Sequence, residues 1–217
     1  MSDPSPYSAI SYYGHLLAGS IVLVSILVAF LARKGSSTHV RAGKVFTVFI
    51  VLTCVSSALM LFMRFVPPLF LATATTIYAL CGGWLCLRPR TRAVAVTEYL
   101  LSGIELIVLS VFLFIGVSAA LAGRVPLFAP LVVAIIPALL LVEDFRWFLG
   151  PGHRNAKRVS RHLERMIWAS IIAVRAPLVE ITAAGVPIPA PVLLFGPVLI
   201  GVGAILWSRR RLPNSPL

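Results

Sequence analysis

Residues 45–63 read VFTVFIVLTCVSSALMLFM, an uninterrupted uncharged run between Lys44 and Arg64. A helix needs roughly 20 mostly apolar residues to cross a bilayer. Backbone polar groups in hydrocarbon must be satisfied within the segment, so a helix is the spanning form expected here. The span built on this run is read as 45–65, and further mostly apolar spans fall at 9–32, 69–87, 99–121, 126–142, 166–184 and 187–208. The expected fold class is all-α: a seven-transmembrane-helix bundle forming one integral membrane domain over residues 1–217. Connections at Pro67-Pro68 and Gly123-Arg124 are short enough to make antiparallel hairpins of their neighbours.

The whole chain agrees with that stretch. Hydrophobic residues make up 59% and charged residues 12%, with mean hydropathy +0.97. A soluble domain carries about 25% charged residues, so a soluble globular fold is excluded. Cys54, Cys81 and Cys86 all sit in apolar runs without a Cys-x-x-Cys pair. They read as small, reduced, packed thiols rather than a redox pair or zinc knuckle.

Net charge is +12 and pI about 10.8, which in a soluble protein would suggest nucleic acid. The placement of the charge argues otherwise. Alternate loops hold Arg33, Lys34, Arg41 and Lys44; Arg88, Arg90 and Arg92; Arg146, Arg154, Lys157, Arg158, Arg161 and Arg165; and Arg209 to Arg211. Sixteen of the 19 basic residues thus fall on one side. The positive-inside rule then puts a short tail, residues 1–8, outside and the basic tail, 209–217, in the cytoplasm. An odd number of spans agrees. The location expected is a bacterial inner membrane, with no nucleic-acid partner and no cleavable signal peptide. Prolines at 130, 137, 177, 191 and 197 concentrate in the last three spans, where they can kink helices. Small residues such as Gly116/Ala120 and Gly196/Gly201/Gly203 allow close helix contact.

Ionisable groups inside a bilayer are expensive and are candidates for function. Glu105 lies about 9 Å up its helix from the cytoplasmic end and Arg175 about 13 Å up its own, at 1.5 Å per residue. The match in depth suggests an ion pair, as a clamp or as the polar centre of a transporter or channel. Nearer the outside, Glu180 could meet Arg64 or His15. His15 reads as a hydrogen-bonded structural residue, a proton relay or a weak ligand.

The cytoplasmic rim holds His39, His153 and His162 with Glu98, Glu143, Asp144 and Glu164. Ser36-Ser37-Thr38 are good N-cap residues ahead of His39, and His162 is expected to open the sixth helix. A helix N-terminus disfavours imidazolium, leaving the neutral form that ligates metal. His39 and His162, with His153 as a third ligand, are therefore candidates to hold haem b or a transition metal. Arg154, Arg158, Arg161 and Arg165 fall within about 60° of one another on a helix. They form a basic stripe suited to anionic lipid headgroups or an acidic partner.

Two stretches carry a resemblance. Lys34-Gly35-Ser36-Ser37-Thr38-His39-Val40-Arg41-Ala42-Gly43-Lys44 resembles a Lys-Gly-Ser-x-x-His-x-x-x-Gly-Arg/Lys loop. His162-Leu163-Glu164-Arg165-Met166 resembles a His-x-x-x-Met helix start. With His15, they are similar to a family of bacterial multi-pass membrane proteins with a domain of unknown function, over residues 10 to 185. Val40 departs from the Arg expected after the His. The resemblance implies a helical bundle, singles out His15, His39 and His162, and supplies no activity. Three functions compete: a redox protein with a rim haem or metal, a transporter or channel-like protein using Arg175 and Glu105, and an accessory subunit of a larger membrane complex. An intramembrane metal hydrolase is disfavoured by the lack of a His-x-x-x-His pair.

Overall fold

The computed structural model describes residues 6–150, 154–183 and 185–211. It is 86% helical, with no strand among the described residues. The helices are α1 (Pro6–Leu31), α2 (Ser37–Met63), α3 (Pro67–Leu85), α4 (Arg92–Leu121), α5 (Phe128–Leu149), α6 (Arg154–Ala183) and α7 (Ala190–Arg211). Among the described residues, six stretches are long and apolar enough to cross a membrane: all of α2, α3, α4 and α5, with Tyr12–Leu31 of α1 and Pro191–Ser208 of α7. The chain is a multi-pass helical membrane protein. The remaining helix, α6, combines a charged first half with an apolar second half.

Local chemistry sets the helix ends. The Ser36 hydroxyl caps α2 by accepting from the His39 amide, 3.3 Å, as the sequence suggests. Thr91 caps α4 in the same way, accepting from Val94 at 3.2 Å. That cap starts α4 seven residues before the apolar run at 99, because apolar composition marks hydrocarbon depth and not helix length. At the other end of α4, Gly123 has φ +71°. Its amide donates to Ala120 O and the Arg124 amide to Ala119 O, both 2.9 Å. This left-handed residue closes the helix and turns the chain into the next. Pro137, Pro177 and Pro197 lie inside helices. Pro130 and Pro191, expected as internal kinks, instead occupy the first turns of α5 and α7, where a missing amide costs little.

The chain forms two compact units, Met1–Thr73 and Ala74–Leu217. In the first, α1 and α2 form a closely packed hairpin. Ala18 and Val22 of α1 are buried, with Ala42, Phe46, Ile50 and Cys54 of α2 recurring every four residues. In the second, α4 packs on α5, α5 on α6 and α6 on α7. Large apolar side chains elsewhere face outward, Phe62 89% and Leu121 79% exposed among them. Such surfaces would be a liability in water and are the expected surface against lipid.

The α6–α7 contact depends on Gly201. A Cβ there would lie 1.9 Å from Ile171 Cδ1 and 2.7 Å from its Cγ1. Gly201→Ala should lower detergent stability by about 1–3 kcal/mol through overpacking, read as a drop in the unfolding midpoint. Gly203→Ala, with open space at its Cβ, should change it little.

Candidate functional site

Four helices of the second unit turn polar residues inward at helical spacing. On α4, Glu98, Ser102 and Glu105 lie four and three residues apart, with Glu98 and Glu105 buried. On α5, Leu140, Asp144 and Trp147 share one buried face. On α3, Thr75 and Tyr78 are buried, and on α6, Arg161 and Arg165. Each set follows the i, i+3/i+4, i+7 rule for one helix face.

Asp144 is the hub. One carboxylate oxygen accepts from the hydroxyls of Tyr78 and Ser102, the other from the guanidinium groups of Arg161 and Arg165. Arg165 is completely buried (0% exposed). Its Nη2 also donates to Leu140 O at 3.0 Å, and its guanidinium lies over the Tyr78 ring, 4.7 Å from the centroid. Arg161 stacks on Trp147 at 4.5 Å, and Trp147 Nε1 donates to Glu98 Oε1 at 3.3 Å. Deeper on α4, Glu105 is 1% exposed and accepts from the Thr75 hydroxyl at 2.6 Å.

The interior is therefore ionic and aromatic at once. The negative charge of Asp144 sits between two cations, each with an aromatic ring against its face. Arg165 Nε and Nη1 and Arg161 Nε find no hydrogen-bond partner among the described residues. Buried donors of this kind take up water or a ligand oxygen.

Several expectations are corrected here. Glu105 and Arg175 do not pair: Glu105 is bound to Thr75, and Arg175 makes no ion pair among the described residues. Depth matched them, but the face of α4 that carries Glu105 is turned to α3. Arg161 and Arg165 are not a lipid-facing stripe, because both are buried on Asp144. Arg158 is half-buried, and the Arg154 side chain lies outside the described residues. His162 does not open its helix. With α6 starting at Arg154, it stands two turns inside, its Nδ1 2.8 Å from Gly83 O.

His39 belongs to the other unit, with its Nδ1 3.0 Å from Ala29 O. A carbonyl only accepts, so Nδ1 carries the proton in both histidines. His15 Nδ1 lies 2.9 Å from the Ser56 hydroxyl. Arg64 is exposed, while His153 and the Glu180 side chain lie outside the described residues. Among the described residues, no three His, Cys, Asp or Glu side chains converge as metal ligands.

Sequence reasoning did not single out Tyr78, Thr75 or Ser102. The spacing of Glu98, Ser102 and Glu105 was the available signal, as was the four-residue step from Arg161 to Arg165 on a helix otherwise rich in cations. Comparison with protein-family models, curated proteins and solved structures gave no match.

Proposed function

We propose that this chain is a seven-span bacterial inner-membrane protein of the transporter or channel-like class, conducting protons through the polar interior of its second unit. The N-terminus faces outside and the C-terminus the cytoplasm, with α6 as the seventh span. The loop asymmetry of Lys and Arg supports this orientation. The resemblance carried by residues 34–44 and 162–166 supports the bacterial setting. Topology is tested by reporter fusions. Those after Pro67, Gly123 and Gly185 should read outside, and those after Ser36, Arg92 and Gly150 cytoplasmic. A cytoplasmic signal after Gly123 would contradict seven spans.

One observation carries the proton reading. Glu105, a carboxyl group at bilayer depth and 1% exposed, has a hydroxyl and not a cation as its hydrogen-bond partner. A purely structural clamp would pair it with one of the arginines. Chains of carboxyl and hydroxyl groups inside membrane helices serve as proton relays. Here Glu105 with Thr75 supplies such a station between α3 and α4, whereas Asp144, paired with two arginines, ties α3, α4, α5 and α6 together around it. The guanidinium groups of Arg161 and Arg165 hold Asp144 in place. The test is proton flux into proteoliposomes containing the purified protein, compared with protein-free vesicles.

A further inference from the structure

A separate feature lies in the first unit, on the α1–α2 hairpin. A groove of about 330 Å³ runs between the two helices. Val24 and Val28 of α1 and Ala42 and Val45 of α2 line it, with Thr38 and Arg41 at its upper rim. Ser25 also borders the groove, but its hydroxyl donates to Val22 O at 2.8 Å. The polar groups are thus confined to the end near the basic loop. From Val45 to Thr38 the groove extends about 10 Å along α2 at 1.5 Å per residue.

We propose that this groove holds the upper part of one acyl chain of an anionic phospholipid, whose phosphate rests on Arg41 and Thr38. Its volume is at the small end of ligand sites, which run to about 300–1,000 Å³, and with its length of about 10 Å it suits the headgroup-proximal part of a single extended chain. The apolar walls offer nothing to a polar solute. At the rim, Arg41 and Thr38 are exposed, and neither side chain is hydrogen-bonded among the described residues. Lys34 is differently engaged: its ammonium donates to Ala29 O and Phe30 O at the end of α1, 3.0 and 3.4 Å. The groove reaches the first turn of α2, whose amide dipoles also favour an anion. Cation at the headgroup level and carbon below it match an anionic lipid and no soluble ligand. This site is independent of the ionic hub around Asp144.

The test uses the full-length protein in detergent with equal phosphatidylglycerol and phosphatidylcholine, reading bound lipid by native mass spectrometry. Phosphatidylglycerol should be retained about fivefold over phosphatidylcholine, the contribution of one basic residue near a membrane surface. Arg41→Gln should abolish that preference, while Arg33→Gln in the same loop leaves it. Val24→Trp fills the groove from a residue that is 63% exposed, so the hairpin should still fold, with both lipids lost. Equal retention of the two lipids would overturn the proposal. So would an Arg33→Gln effect as large as that of Arg41→Gln, or Val24→Trp binding lipid like the parent protein.

Discussion

Asp144→Asn will destabilise the protein by about 3–5 kcal/mol, because it leaves buried guanidinium groups without their counter-charge. Arg161 and Arg165 both converge on this one carboxylate. The amide can still accept from one donor, but it cannot neutralise two cations inside the bundle. Thermal unfolding in detergent will read the loss. Arg165→Met should cost less, since Asp144 keeps its pairing with Arg161 while the stack on Tyr78 is lost. The double variant should lose less than the sum, because the two residues share one interaction. Additive losses would show that the pair is not coupled. Asp144 draws donors from α3, α4 and α6 while sitting on α5. Its loss should therefore loosen four helices at once.

Glu105→Gln will separate conduction from stability. Glutamine keeps an oxygen that can accept from Thr75, so the bundle should hold, with a stability change within about 1 kcal/mol, the net worth of one hydrogen bond. It cannot bind and release a proton at that site. Flux in proteoliposomes should therefore fall to the level of protein-free vesicles. Thr75→Val should affect flux less, because the carboxyl group remains. A variant that conducts fully while folding normally would remove Glu105 from the path.

The division between what was legible in the sequence and what was not has a physical cause. Bilayer thickness imposes a length on apolar runs, so the segments were readable before any contact was known. Ser36 at the start of α2 and Gly123 at the end of α4 act through local backbone chemistry, and both were near places where the sequence already showed a break. The site was harder. Helical periodicity shows which residues share a face, but not which neighbouring helix that face meets. Glu105 and Arg175 matched in depth and still did not pair, because Glu105 faces Thr75 on α3. Arg161 and Arg165 belong to a basic stretch that would suit headgroups. Their burial follows from Asp144, a residue on another helix and 21 positions before Arg165. The same limit hid Tyr78, whose ring and hydroxyl both serve the hub.

Proton flux through the reconstituted protein tests the central claim most directly. Vesicles carrying a pH-sensitive dye and an imposed potassium diffusion potential, negative inside, report proton entry as acidification. With the wild-type protein, the interior should acidify faster than in protein-free vesicles, and Glu105→Gln should abolish the difference. Acidification no faster than in protein-free vesicles, with the protein folded and inserted, would contradict the account and leave the Asp144 hub as a structural clamp.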